Sequence, residues 1–264
     1  MASSSTVVAA SRNICVVSGL GNGSGTGAAC ALLWSQQLRY KIALVSRPRK
    51  DVVDLRDKII KQGGEAEIFS VEQYDRVNIQ RIFGTIRDRW PESRIRTAIW
   101  NTSQWSMIPF MDIKEEQIQA SVQINIVAAT AFAQEAITAF TDQAVDNGPK
   151  GGTLLVTGAT SATRGASQFG AFAAGKHGLR ALVHSVAREY GPQGVHAAFV
   201  IIDGTILTKR TAIMFGSKFG EGWMNDEQQR LSPESIARCY MYLHQQTPDA
   251  WTMEMDLRPA KEKF

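Results

Sequence analysis

Ile14-Cys15-Val16-Val17-Ser18-Gly19-Leu20-Gly21-Asn22-Gly23-Ser24-Gly25-Thr26-Gly27, followed by Ala28-Ala29-Cys30-Ala31-Leu32-Leu33, decides the fold. An apolar run is followed by glycine at every second position, then by good helix formers. This is the order strand, loop, helix N-terminus. Such a junction offers unpaired N–H groups and the positive end of a helix dipole to an anion. Glycine also lets the backbone come close to a pyrophosphate. The strict G-x-G-x-x-G spacing is not met, because Ser24 or Thr26 stands at the third glycine. A looser G-x-x-x-G-x-G fits twice, as Gly19/Gly23/Gly25 and as Gly21/Gly25/Gly27, and spacing leaves both registers open. A ligand-free Gly/Ser loop is the simpler alternative. The flanking strand and helix patterns favour phosphate binding.

Short apolar runs recur at 42–46, 66–70, 95–100, 153–157 and 195–202, separated by helix-like stretches at 52–62, 77–89, 115–144 and 171–189. Strands that are apolar on both sides need cover on both faces, as in a parallel sheet flanked by helices. The expected fold class is α/β, a Rossmann-type doubly wound parallel sheet with right-handed βαβ crossovers, in a single domain over 13–264. Residues 1–12 lack a basic start and a long apolar core, and read as a disordered tail rather than a signal peptide. Residues 205–230 follow a strand end, where such sheets bind ligands. They read as a candidate lid, less regular over 209–230 with Gly216, Gly220 and Gly222. A surface excursion with no gating role fits equally.

The 264 residues are 44% hydrophobic and 20% charged, enough for a large core. The net charge is +4, but the basic residues are scattered among acids, and Arg47-Pro48-Arg49-Lys50 is the densest cluster, so nucleic acid is not an expected partner. No apolar run reaches membrane-spanning length, so no membrane is expected. No Cys/His spacing suggests a metal. Cys15, Cys30 and Cys239 are odd in number and far apart, which reads as free thiols in a reducing compartment, the cytoplasm by default.

The second strand ends Val45-Ser46-Arg47. An acidic residue there would bond the adenosine ribose of NAD(H). Arg47 and Arg49 instead suit a 2′-phosphate, which makes NADP(H) the expected cofactor, with an exposed basic turn as the alternative.

At this point the chain resembles the short-chain dehydrogenases/reductases over nearly its whole length. Asn101-Thr102-Ser103 stands where that family has Asn-Ala-Gly, and Asn125 where it keeps a structural and catalytic Asn. Phe172-Ala173-Ala174-Gly175-Lys176 stands where it has Tyr-x-x-x-Lys. Asp203-Gly204-Thr205-Ile206-Leu207-Thr208 stands where it has Pro-Gly followed by Ile/Val and Thr. The tail 250–259 is similar to an atypical branch of the family. The resemblance implies cofactor contacts from Gly19, Gly21, Ser24, Gly25, Gly27, Arg47, Arg49, Val71, Asn101, Lys176, Gly204, Ile206 and Thr208. It implies Lys176 and Asn125 as catalytic residues, a small-molecule substrate, and a homodimer or homotetramer built on helices 115–144 and 171–189. Their small residues Ala128, Ala129, Ala131, Ala173 and Ala174 suit such contacts, and suit packing on the sheet as well.

Two departures say more than the matches. The family's general acid is the Tyr, here Phe172, and its Ser lies thirteen positions earlier, here Ala159. Lys176, on the same helical face as Phe172, keeps the role of binding the nicotinamide ribose. Its other role, lowering a Tyr pKa, has no object. Losing the acid costs ketone reduction about 10²–10⁴ in rate, and losing an oxyanion donor about 10²–10³ more. An iminium ion needs no proton after hydride addition, and an activated alkene can take one from water. The expected function is an NADP(H)-dependent oxidoreductase reducing an imine, iminium or other activated acceptor in small-molecule (secondary) metabolism. A cyclase or isomerase using the pocket as a shaped, dry cavity, alone or combined with reduction, remains an alternative. So does a non-catalytic nucleotide-binding scaffold.

Other residues are open to two readings. Thr160 or Ser161 could replace the missing hydroxyl from a shifted loop, or cap that loop. Asp203 could steer a cation, act as a catalytic base, or cap the next turn. Gln104, Trp105 and Met107 could wall the substrate pocket beside Ala159, Thr160 and Phe172, or simply pack. His177 is rotated about 100° from Lys176 and should miss the pocket.

Overall fold

The apolar run before the glycine loop forms β1 (Asn13–Ser18), whose residues alternate between two buried faces. A computed structural model describes residues 13–142 and 151–262. After β1 come α1 (Thr26–Leu38), β2 (Lys41–Ser46), α2 (Lys50–Lys61), β3 (Ala66–Ser70), α3 (Arg76–Arg89) and β4 (Arg94–Trp100). The second half holds α4 (Glu115–Val122), a π turn (Gln123–Ala128), α5 (Ala129–Thr141), β5 (Gly152–Thr157), α6 (Gly170–Tyr190) and β6 (Val195–Ile202). It ends with α7 (Lys209–Asn225), α8 (Pro233–Gln245) and β7 (Glu254–Leu257). The seven strands pair in parallel in the order β3-β2-β1-β4-β5-β6-β7. Chain order therefore reverses between β1 and β4, and a crevice opens at the carboxyl ends of those two strands.

Ile14, Val16, Ala98, Trp100, Leu154 and Phe199 face α3, α5 and α6. Cys15, Val17, Leu44, Ile99, Leu155 and Val200 face Trp34 of α1 and Tyr240 and Leu243 of α8. Each fully buried Val, Leu, Ile or Phe side chain contributes about 1.5–3 kcal/mol, so the near-continuous apolar strands hold the two helical layers. Helix starts carry local signals. Asp75 accepts from Asn78 N at 2.8 Å before α3. Ser232 accepts from Ser235 N at 3.1 Å before α8, with Pro233 in first position.

Two expectations change. The helix expected over 115–144 is interrupted by the π turn, a feature often found at functional sites. It ends at Thr141, and positions 143–144 lie outside the described residues. The stretch from 209, expected to be irregular, is largely the helix α7, broken at Gly220 (φ 76°, ψ 173°). Of the small residues that suit either subunit contacts or packing on the sheet, Ala128, Ala129, Ala131 and Ala173 are buried within the chain and Ala174 is exposed. The tail expected over 1–12 also lies outside the described residues. Cys15 and Cys30 are buried free thiols whose pKa burial raises. Among the described residues, no helix is long and apolar enough to cross a membrane, and no group of His, Cys, Asp or Glu is placed to hold a metal.

Candidate active site

The glycine loop leaves β1 at Gly19 and enters α1 through Gly25, its N-cap, and Gly27, in its first turn. Neither expected register is used whole. The first glycine of one and the last two of the other frame a loop two residues longer than G-x-x-x-G-x-G allows. Gly19 has φ +86°, and a Cβ there would run into the main chain of Asn101 and Thr102. A Cβ on Gly27 would stand 2.6 Å from the Gly19 carbonyl oxygen. The loop is thus pressed onto the end of β4, at the point where chain order reverses.

Gly25 gives α1 no side-chain cap, and the first turn of α1 carries no acid. Its leading N–H groups have no intrahelical partner, as at any helix start. The start of α7 joins them. Thr208 caps that helix by accepting from Thr211 N at 3.1 Å, and Lys209 N donates to Ser24 Oγ at 3.2 Å. Two helix N-termini therefore converge on one loop, a favourable place for an anion. Gly23 abuts α2, since a Cβ there would stand 2.8 Å from the Asp51 carbonyl oxygen. This brings exposed Arg47, Arg49 and Lys50 beside the loop. Gly21 is exposed at the loop's tip. Val71 lies elsewhere in kind: its side chain is in the core, and its N–H is spent on Ser46 O at 3.1 Å. Ile206, half-buried, pairs with Leu231 in an isolated parallel bridge.

Behind the loop, Thr157 at the end of β5 acts as a hub. Its hydroxyl donates to Asn101 Oδ1 at 2.8 Å, and Asn101 Nδ2 donates to Gly19 O at 2.6 Å. With that proton committed, Tyr240 of α8 is the donor in its 2.7 Å contact with Thr157 Oγ1. The Thr157 carbonyl oxygen accepts from Lys176 Nζ at 2.8 Å. Thr157 and Tyr240 were not expected in the site, and nothing local in the sequence marks them.

Lys176 is 2% exposed, and burial lowers its pKa to about 7. Its Nζ lies 5.9 Å from the centre of the Phe172 ring, one helical turn away. Asn125 lies in the π turn beside α6. Its Nδ2 donates to Ser121 O at 3.1 Å and Ser121 Oγ at 3.3 Å, while Ser121 Oγ donates to Ala171 O at 2.7 Å. Asn125 Oδ1 and Thr26 Oγ1, at the start of α1, are buried with no hydrogen-bond partner among the described residues. Phe172 also begins an aromatic line, with Phe169 at 6.4 Å and Trp105 at 6.1 Å from Phe169. Ile108 N donates to Gln168 O at 2.7 Å, which ties the loop carrying Gln104 and Trp105 to the one carrying Phe169. Trp105 is 41% exposed, so the line runs from solvent to Lys176. His177 is exposed, and its Nδ1 lies 2.9 Å from Ala173 O.

Asp203 and Thr160 differ from expectation. The Thr160 hydroxyl neither caps its loop nor stands free: it donates to Asp203 Oδ1. The other oxygen of Asp203 lies 3.1 Å from Arg258 Nη2. Asp203 caps no turn, since Thr208 caps α7. Both of its oxygens are engaged, which ties β6 to the loop after β5 and to the C-terminal segment.

A parallel sheet in this order, with a glycine loop and two helix N-termini at the reversal point, defines a Rossmann-type α/β protein. Residues 19–255 match the family described as enoyl-(acyl carrier protein) reductase. The chain belongs to the short-chain dehydrogenases/reductases, a family of nicotinamide-dependent oxidoreductases. No curated relative matches it. Solved structures share the fold. The short-chain dehydrogenase from Rhodopseudomonas palustris is 23% identical, with TM-score 0.74 over 94% of this chain and 98% of that one. L-sorbose reductase from Gluconobacter frateurii, solved with NADPH and L-sorbose, is 17% identical, with TM-score 0.81 over 96% and 98%. The alcohol dehydrogenase from Thermococcus sibiricus, solved with 5-hydroxy-NADP, is 17% identical, with TM-score 0.77 over 95% and 98%.

Proposed function

We propose that this protein is an NADP(H)-dependent reductase of imines, iminium ions or similarly activated acceptors in small-molecule metabolism. The carrying observation is that the aromatic ring over Lys176 belongs to Phe172 and bears no hydroxyl, while the hydroxyl of Thr160, beside Ala159, is spent on Asp203. No side chain in that pair of positions is ready to protonate an alkoxide. Acceptors that are cationic before hydride arrives, an iminium ion or an imine protonated in solution, remain favoured, because hydride addition leaves them neutral.

The residues fit the cofactor. The diphosphate suits the two helix starts around Gly25 and Lys209, and Arg47, Arg49 and Lys50 suit a 2′-phosphate. Asn125 Oδ1 and Thr26 Oγ1 supply buried polar atoms at the same end of the sheet. NADP(H), when bound, supplies the hydride. Lys176 would hold a ribose hydroxyl, with Thr157 O fixing its Nζ. Phe172, Phe169 and Trp105 form an apolar wall suited to a ring-bearing acceptor, and Gln104 adds a polar group at its rim. Asp203 acts here through Thr160 and Arg258 rather than on substrate.

The groove between α5 and α6, about 360 Å³ and lined by Phe132, Ile137, Leu179, Leu182, Val183 and Val186, supports a homodimer or homotetramer built on those helices. Sedimentation of Leu182→Glu against the parent chain tests this, with a monomer expected for the variant. The buried thiols suit a reducing compartment such as the cytoplasm.

The deciding experiment offers cyclic imines and matched ketones with deuterium-labelled NADPH. Deuterium delivered to the imine carbon, with ketones turned over at least about 10²-fold more slowly, supports the reading. Product formed without NADPH consumption would replace it with a cyclase. Equal turnover of ketones would sink it.

A further inference from the structure

After β7, five residues cross the carboxyl end of β6, touch two separate loops and reach a third through Asp203. Arg258 Nη2 lies 3.1 Å from Asp203 Oδ2 and 2.6 Å from Asp256 Oδ2. Through Asp203 it reaches Thr160, on the loop after β5 that also carries Ala159. Pro259 and Glu262 lie on the β6–α7 turn. A Cβ on Gly204 would stand 2.7 Å from Pro259 Cδ and 3.2 Å from Glu262 Oε2, and Gly204 has φ +145°. Only glycine meets both demands. Lys261 N donates to Gln228 O at 2.8 Å, and its Nζ bonds Asp226 Oδ2 at 2.9 Å, both just beyond α7. Asp226 is held in place by Gln228 N at 2.9 Å and Gln229 Nε2 at 2.8 Å.

We propose that residues 258–262 form a clasp that holds the lid helix α7 and the Thr160 loop in one arrangement, with Arg258 and Lys261 as its positioning residues. The helix needs one. Among its described side chains only Trp223 is buried, Ile213 is 79% exposed, and Gly220 breaks it. Its described side chains therefore contribute little local stability. It is fixed at its start by the Thr208 cap and the contact to Ser24, and at its end by Lys261 and by Arg230, whose Nε donates to Met224 O at 2.9 Å. Release of Asp226 from the clasp removes one tie at the far end of the lid, and Gly220 is where the helix can bend. The two contacts are unequal. Lys261–Asp226 is a largely solvated pair worth little. Arg258 neutralises a buried carboxylate, so its loss leaves an uncompensated charge. The clasp's effect on turnover rests on the NADP(H) reading above, while its existence does not.

The test is hydrogen exchange on the full chain with Lys261→Ala, Arg258→Ala and Arg258→Lys. Amides of 205–228 should exchange up to about fivefold faster in Lys261→Ala, while those of 158–164, reached only through Arg258, should keep their rates there. Both segments should exchange about tenfold faster or more in Arg258→Ala. Strands β1 and β4 should keep their parent rates, and Arg258→Lys should recover most of the protection. NADPH should dissociate faster in the same order. Unchanged exchange over 205–228 in both alanine variants overturns the clasp, as does an equal increase throughout the sheet. If Arg258→Ala does not fold, Lys261→Ala and Asp226→Asn decide the question by the same readout. Failure of the parent chain to bind NADPH counts against the cofactor reading and leaves the exchange result to judge the clasp.

Discussion

Lys176 donates to the carbonyl oxygen of Thr157 at 2.8 Å, and the hydroxyl of that same Thr157 holds Asn101, which in turn holds Gly19. The lysine and the glycine loop are therefore positioned through one residue at the end of β5. Small displacements of Thr157 reach both the glycine loop and the lysine. Burial sets the chemistry of this lysine: its pKa lies at about 7, against an ordinary value above 10.

Lys176→Met should stabilise the protein near neutral pH. The unfolded chain holds the lysine proton up to its ordinary pKa, while the folded chain sheds it near 7. Stability therefore rises with pH between those values, and the penalty is greatest below about pH 7. Removing it, less about 1 kcal/mol for the orphaned Thr157 carbonyl, gains on the order of 1–3 kcal/mol at pH 7. The gain should fade toward pH 10. Denaturant titrations from pH 6 to 9.5 measure it, and a difference independent of pH would mean the ammonium is better compensated than its burial implies.

Arg47→Ala should weaken NADPH binding about tenfold and leave NADH unchanged, because only a 2′-phosphate would engage an exposed guanidinium at that turn. The discrimination should shrink at high salt. A fluorescence titration with both cofactors decides the point. Equal losses for both would move Arg47 to the diphosphate or to the fold.

Restoring both missing hydroxyls, as Ala159→Ser with Phe172→Tyr, should raise ketone reduction by at least about 10²-fold. Phe172 is 7% exposed and already packs against Lys176, so the new phenol meets the cation that stabilises its phenolate. Single-turnover rates with a ketone and an imine give the result. If the double variant gains nothing, the pocket differs from a ketone-reducing site in more than its acid.

Two glycines in one loop should behave differently. Gly19→Ala forces a Cβ into the Asn101 main chain at φ +86°, and should cost at least about 2–4 kcal/mol along with cofactor binding. Gly21 has φ +58° with open space around it, so Gly21→Ala should cost only about 1–2 kcal/mol. Thermal melts of the two variants compare them directly.

Six strands of the sheet, the glycine loop and helices α1 to α6 were legible in the sequence because they rest on local pattern, whereas α7 and α8 were not. Strands such as Val195–Ile202 are apolar at nearly every position, and such runs have no stable alternative to burial on both faces. The candidate nicotinamide end was legible for a similar reason: Phe172 and Lys176 share a helix face, so their proximity follows from helical spacing. β7 was not legible. Its four residues are mixed polar and apolar, and it is a strand only because β6 supplies the ladder.

Tertiary structure alone decided the rest. It chose the frame of the glycine loop, because the choice depends on which glycine meets Asn101, far along the chain. It spent Thr160 on Asp203 and Asp203 on Arg258, contacts between distant segments that no local period encodes. The sequence by itself determined which strands must be buried and where helices α1 to α4 and α6 begin. Which polar groups would meet at the carboxyl ends of the strands was settled only when the parallel sheet brought those ends side by side.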